Sequence, residues 1–466
     1  MATVNGRVTS SNGTTWDTSG AIPGNVYVPI DLKYQVLSVN LTGKVDFTNV
    51  GLMGHSRGGE GIRAAYNLYR DPNIDSRGTF IAWSNKIPGM NIKGIFEIGP
   101  TDYFVPTSPM GGGARYLNAD GTAWNILLPM CDGDVFTLGG VRVFDRSLRL
   151  NSESPATQKS TYTVWGANHN FYNTEWQDSD PGSIPGVGRP PSACIGSGNT
   201  PLFSYPTPPG NSSGSLQQQQ TALASLLALF RANVGASNTP SFNQNFDPRY
   251  DEPAVVTGVT RVDRGYTASP HTSVTTVIQD FDQVLGNNYC STPGVCGSGV
   301  TATTAEIPHH DYSDSGGIYN PEQKAALVSW GSSGCDQYFQ VNAASPINLS
   351  GYQTLDFRTS RRNDSAVNSS TATSLSIRLV TATGVSNPLP LKKYTNLTGP
   401  VGGYALVQGG SSMWVEDYRP ILQSVRIPLT DFTGVNLDLT QVQAVKFVFN
   451  DTSTGIVYLA NIRASH

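Results

Sequence analysis

Ser56 stands where nucleophilic catalysis would want it, in the run Gly54-His55-Ser56-Arg57-Gly58. Residues 50–53 before it read as a buried strand, and residues 59–70 after it as a helix. A strand that ends in G-x-S-x-G and passes straight into a helix must turn sharply, and its small residues let the two elements approach closely. The turn projects the serine hydroxyl at a helix N-terminus, where the helix dipole and its unbonded N–H groups favour a developing oxyanion. The backbone N–H of Arg57 would be one oxyanion donor.

A serine needs a base to activate it and a carboxylate to orient that base. On a strand–turn–helix scaffold of this kind the chain order is serine, acid, histidine. The chain has six histidines, and His169, in "VWGANHNFYN", is the one that follows a strand signal at the right place in the order. His55 lies inside the turn, and His271, His309, His310 and His466 lie beyond the region. The acid is open between neighbours: "ILLPMCDGDV" ends a strand with Asp132 and Asp134. The usual reach past a strand end favours Asp134, with Asp132 as the alternative. Asp102, after the preceding strand signal, is a further candidate.

The elements that must position these residues alternate between strand and helix over residues 45–235. Runs at 92–99, 125–131 and 161–167 are short and apolar, and residues 215–235 form an amphipathic helix pattern with serine near its start and glycine at its end. Such alternation implies a mostly parallel sheet. Residues 178–214 are rich in proline, glycine and serine and read as an excursion loop. From about residue 254 short alternating runs appear, at 374–382, 423–432, 444–451 and 455–464, separated by turn signals. They predict an antiparallel β-sandwich. The expected organisation is a catalytic domain over 1–236, a linker over 237–253 and a sandwich over 254–466.

With these motifs in place, residues 45–235 resemble an α/β-hydrolase of the secreted esterase and lipase type. The resemblance rests on Gly54-His55-Ser56-Arg57-Gly58-Gly59-Glu60, "LLPMCDGDV" and "GANHNF". It implies that Ser56 attacks an ester carbonyl, that His169 takes and returns the proton, that Asp134 orients the imidazole, and that water hydrolyses an acyl-enzyme. The family places several strands and a glycine-containing oxyanion loop before the elbow, whereas 55 residues precede Ser56 here, so the expected fold is an N-terminally short member. Residues 254–466 resemble the jelly-roll modules of the galactose-binding and carbohydrate-binding type, on "INLSGYQTLDFRTS", "QSVRIPLTDFTG" and "VQAVKFVFNDTSTGIVYLANIRAS". Such modules often bind sugars through aromatics, for which Trp414, Tyr418 and Tyr404 are candidates, and often hold a structural calcium ion.

Together these features predict a secreted carboxylic ester hydrolase that requires no cofactor and acts on a polymeric or insoluble ester, either a polyester or an acylated polysaccharide. A lipase acting on acylglycerols is the rival within the enzyme class. The rival of another class is a carbohydrate-binding or adhesion protein whose hydrolase half is truncated and inactive. Composition narrows the partners. A net charge of −4, with 14% charged residues, supplies no basic face for nucleic acid, and no run of apolar residues is long enough to span a membrane. The start "MATVNGRVTSS" has neither the basic nor the apolar region of a leader. Of five cysteines, Cys290 and Cys296 suit a small disulfide loop, and a Cys131–Cys194 bridge would tie the excursion loop beside the site. His309, His310 and Asp311 are adjacent, so their side chains on a strand would diverge rather than converge on one metal ion.

Overall fold

In the computed structural model of the protein the described residues are 7–9, 15–17, 45–70, 89–102, 119–130, 132, 134–135, 138–173, 213–235, 237–308, 319–331, 337–362, 373–397, 401–408 and 411–466. The chain divides into two compact units, residues 1–48 and 49–466. In the first unit β1 (Arg7–Thr9) and β2 (Thr15–Asp17) form an antiparallel pair.

The second unit begins with β3 (Val50–His55), α1 (Arg57–Arg70), β4 (Ile92–Ile98), β5 (Ala123–Pro129), α2 (Gly140–Ser147), β6 (Lys159–Val164), α3 (Ser213–Asn233), α4 (Ala254–Thr257) and β7 (Val262–Thr267). The strands make one sheet in the order β3-β4-β5-β6-β7. The first four are parallel, and β7 runs antiparallel to β6. Alternate residues of the strands point to opposite faces, and both faces are covered. Ile95, Ile126 and Leu128 pack with Ile62 of α1 and with Val143 and Phe144 of α2. Phe96, Leu127 and Tyr162 pack with Ala228 and Leu229 of α3. That two-sided burial explains why β5 reads AWNILLP, a strand buried at every position.

Two expected boundaries move. Residues 237–253 are no free linker: Phe246 is fully buried in the core beneath α3, and the Asn243 side chain accepts from Gln158 and Asn233. Residues 262–267, placed in the sandwich by the expected boundary at 254, instead complete the parallel layer as its antiparallel edge. An alternating six-residue run fits either sheet, so periodicity alone does not choose between them.

The sandwich comprises β8 (Thr275–Gln279), β9 (Val300–Pro308), β10 (Tyr319–Trp330), β11 (Tyr338–Ile347), β12 (Thr354–Arg361), β13 (Ser376–Thr381), β14 (Leu389–Pro390), β15 (Val401–Gln408), β16 (Ser411–Arg419), β17 (Gln423–Pro428), β18 (Val442–Val448) and β19 (Gly455–Ser465). Its larger sheet has the order β17-β12-β19-β10-β9 with β8 also on β19, its smaller sheet β11-β18-β13-β14, and β15-β16 form a separate hairpin. The inner faces share one apolar core, in which Phe357 of β12 meets Phe447 of β18 edge-on at 5.3 Å. Cys290 and Cys296 are disulfide-bonded, as their spacing suggests. Cys131, Cys194 and Cys335 lie outside the described residues, as do His309, His310 and Asp311.

The outer face of the larger sheet docks on the parallel layer through charged side chains. Arg358 of β12 binds Asp145 of α2, and Arg426 of β17 binds Asp247. Arg426 also donates to Asp356 at 3.2 Å and to Ser465 Oγ at 2.8 Å, and the Tyr266 amide of β7 donates to Ser424 Oγ at 2.8 Å. Both arginines and both interface carboxylates are buried. Breaking a buried pair is costly where it strands a charge, and here Arg426 keeps Asp356 and Asp247 keeps Arg249 at 2.7 Å as second partners.

Candidate active site

Parallel strands place their C-terminal ends on one edge of the sheet, which is where loops carry chemistry in open α/β sheets. Ser56 follows β3, Asp132 follows β5 and His169 follows β6, so all three stand at that edge. The edge is held together by backbone hydrogen bonds that run from strand to strand: Ser56 N–H to Ile98 O at 2.8 Å, Gly99 N–H to Leu127 O at 2.8 Å, and Met130 N–H to Val164 O at 3.0 Å.

The turn at Ser56 is as tight as its sequence implies. Ser56 has φ +59°, the left-handed conformation that a non-glycine residue adopts only when its surroundings enforce it. A side chain at position 54 would bring its Cβ within 2.2 Å of Gly58 O, and one at position 59 within 2.9 Å of the Pro100 Cβ. The glycines at 54 and 59 are therefore the means by which β3, the turn and α1 pass so closely. Gly58 faces open space, so crowding gives no reason for glycine there. Arg57 opens α1, and its N–H belongs to the first-turn amides, which have no intrahelical acceptor.

The carboxylate beside His169 Nδ1 is Asp132, whereas reach past the strand end favours Asp134. His169 Nδ1 lies 2.8 Å from Asp132 Oδ2, with both side chains wholly buried. The Asp134 side chain is 61% exposed, and its Oδ2 lies 3.6 Å from His169 Nε2, on the other side of the ring. The physical reason is the turn after β5. Asp132 Oδ1 accepts the backbone N–H groups of Asp134 at 3.0 Å and Val135 at 2.6 Å, closing a side-chain turn that leaves Oδ2 aimed at the histidine. Asp134 forms the far side of that turn and faces water. Asp102 is engaged elsewhere. It accepts from Arg146 at 2.7 Å and from Arg63 at 3.2 Å; burial pushes its carboxyl up, but those arginines outweigh burial and hold it below the usual carboxylate range.

The histidine loop is fixed from α3. Gln218, fully buried, accepts from the Asn168 N–H at 3.1 Å and donates to Asn168 O at 2.7 Å, and Asn168 Oδ1 accepts from the Phe171 N–H at 2.9 Å. Beside it Gln219 donates to Asn173 O at 2.9 Å. The sequence carried a trace of this clamp in the glutamine run 217–220, which is unusual in a helix otherwise set by apolar spacing. Beneath the Asp132–His169 pair the chain must come very near. A Cβ at Gly99, whose φ is +47°, would sit 3.2 Å from Asp132 Oδ2 and 3.2 Å from His169 Nδ1.

His55 packs against the pair as well, its ring 4.6 Å from that of His169. Burial, and then the charge on His169, lower its pKa to about 4. Its Nε2 is buried and makes no hydrogen bond. Further below, Arg63 of α1 donates to Glu97 of β4 at 3.0 Å and to Thr101 O at 2.9 Å, tying the helix that follows the elbow to the neighbouring strand. Burial raises the Glu97 pKa to about 7 against the opposing charge of Arg63. Neither His55 nor this arginine has a sequence signal beyond proximity to the motif.

Trp414, Tyr418 and Tyr404 belong to the β15-β16 hairpin, whose backbone pairs Tyr404 with Val415 and Ala405 with Trp414. Among the described residues no group of three or more His, Cys, Asp or Glu side chains is placed to hold a metal ion. Among the described residues, too, no helix is long and apolar enough to cross a membrane.

No protein-family model matches the chain, and no curated protein matches it. Solved structures with some likeness include the family 11 carbohydrate-binding module from Clostridium thermocellum in complex with a β-1,3-1,4-mixed-linked tetrasaccharide, 14% identical over 41% of this chain and 95% of that one, with a TM-score of 0.24. The family 30 module of a Clostridium thermocellum cellulosomal cellulase is 14% identical over 41% and 97%, with a TM-score of 0.24. An exo-β-agarase is 12% identical over 41% and 24%, with a TM-score of 0.22. At such scores the likeness carries no argument about what this chain binds.

Proposed function

We propose that the protein is a serine hydrolase of the α/β-hydrolase type acting on carboxylic esters, with Ser56 as nucleophile, His169 as general base and Asp132 as the acid that orients it. The observation that carries the reading is the buried 2.8 Å pair between His169 Nδ1 and Asp132, at the same sheet edge as a serine held at φ +59°. Asp132 keeps the Nδ1 proton in place, which leaves Nε2 as the basic nitrogen. His169 takes the Ser56 proton as Oγ attacks the ester carbonyl, the Arg57 N–H stabilises the tetrahedral oxyanion, and the proton passes to the departing alcohol. Water then repeats the sequence on the acyl-enzyme and releases the acid.

The substrate we expect is an ester carried on a polymer or an insoluble phase, a polyester or an acylated polysaccharide, with acylglycerols as the competing class. Secretion is supported by the Cys290–Cys296 disulfide, a bond that persists in oxidising compartments. Hydrolysis of a short-chain nitrophenyl ester by the chain and by Ser56→Ala tests the reading. The expected loss is on the order of a millionfold in kcat. Equal turnover by both proteins, or none by a folded parent, sinks it; the second result, together with retained binding to polysaccharide, would favour an adhesion protein.

A further inference from the structure

A cavity of about 340 Å³ lies where the end of α2 meets β8 and β19, away from the Ser56 edge and bordered by residues of both layers. Its volume is at the lower end of small-molecule sites. Three arginines of the larger sheet point toward the parallel layer, and two of them, Arg358 and Arg426, meet buried carboxylates. The third, Arg463, is only 7% exposed and makes one hydrogen bond, to the Leu148 carbonyl at 3.3 Å. Its Nε is buried with no partner, and among the described residues no carboxylate is within ion-pair distance of it. Burial and the nearby Arg358 lower its pKa to about 10. The charges of Asp356, Asp280 and Asp145 act on it only from beyond ion-pair distance, so this buried cation lines the cavity without a carboxylate in direct contact.

The strand is also shaped to present it. Opposite Phe357 of β12, β19 carries the extra residue of a bulge, and its register on β8 shifts between Ile462 and Arg463. Asn461, which lines the cavity too, has φ +48° inside the strand. Bulges of this kind re-aim side chains and recur next to binding sites. The other walls are mixed. Leu148, Pro270 and Val277 supply apolar surface, Asp145 lines the wall with its charge met by Arg358, and Asp280 and Asp282 stand at the exposed rim, Asp282 paired with Arg149 at 3.1 Å. The rim carboxylates disfavour a multiply charged anion, and the apolar walls favour carbon over bare inorganic oxygen.

We infer that this cavity binds a small organic monocarboxylate, with the Arg463 guanidinium as its counter-ion. The site does not depend on the hydrolase reading and is independent of Ser56.

Titration calorimetry of the full chain at constant ionic strength, with acetate, D-glucuronate, phosphate and glucose as probes, tests it. The carboxylates are expected to bind, and phosphate and glucose not. Arg463→Met should weaken carboxylate binding by about tenfold to a hundredfold, the weight of a charge-assisted hydrogen bond. Val277 pairs with Arg463 across the strands and is half exposed, so Val277→Trp should fill the cavity, leave the guanidinium in place and abolish binding. If Arg463→Met fails to fold, Val277→Trp carries the test. No binding of either carboxylate, binding that survives in the folded variants, or a preference for phosphate would each overturn the inference.

Discussion

The rings of His55 and His169 lie 4.6 Å apart, tilted by 35°, so that one buried imidazole rests on the other. Burial first, and then the charge of a protonated His169 at that spacing, disfavour a proton on His55. His55, with its pKa lowered from 6.5 to about 4, stays neutral where an unfolded-state histidine would begin to protonate. The unfolded chain therefore binds more protons than the folded one between those values, and stability is lost as pH falls through that window. Replacing His55 with Gln should flatten this acid limb by roughly 3 kcal/mol between about pH 7 and pH 4. Urea midpoints of parent and variant across that range check it; parallel curves would show that His55 is not the group responsible.

Asp132 and Asp134 are separated by one residue and by their surroundings, one buried against His169 Nδ1 and the other largely exposed. Asp132→Asn should cost about ten-thousandfold in kcat, because the amide favours the wrong imidazole tautomer. Asp134→Asn, removing a largely solvated charge, should change kcat by no more than about tenfold. Steady-state kinetics of the two variants decide the assignment, and a reversed ranking would restore Asp134 as the orienting acid.

Much of the site's scaffold was readable from the residues. The placement of Ser56 and His169 at one sheet edge follows from chain order and strand ends, which motif spacing encodes directly. Which carboxylate meets His169 was not readable, because it turns on which one closes the turn after β5, and "CDGD" is compatible with either. His55 and Gln218 act through packing across elements far apart in sequence, and no local pattern announces that. The sandwich was legible as alternation, whereas β7 has the same alternation and belongs to the other sheet.

Gln218 bonds the backbone of Asn168, next to His169, and under the proposed mechanism is a positioning residue. Gln218→Leu removes both bonds to Asn168 and should lower kcat by roughly tenfold to a hundredfold, the cost of leaving a buried amide unmet, with KM little changed. Gln218→Glu should recover part of the loss through the one bond from the Asn168 N–H. A fall in stability without the split between kcat and KM would mean that the clamp serves folding only.

Arg426 faces Asp247 across the interface and Asp356 within its own sheet. Arg426→Ala should lower unfolding stability by about 3 kcal/mol, with Arg249 still holding Asp247 at 2.7 Å, and combining it with Asp247→Leu should cost less than the two single losses summed. Urea unfolding of the single and double variants measures the coupling. Additive losses would place the two residues in independent environments.

The docked sheet face also bears on ancestry and engineering. A module on a flexible tether can be cut away or exchanged, and its neighbour keeps working. Here Asp145 and Asp247 of the parallel layer meet Arg358 and Arg426 of the sandwich, and Asp247 also holds Arg249. Shortening the gene after β7 would take both sandwich guanidiniums from that face and open it to water, and a foreign sandwich would match it only with cations at corresponding positions. The two layers are therefore one unit to be exchanged or kept together.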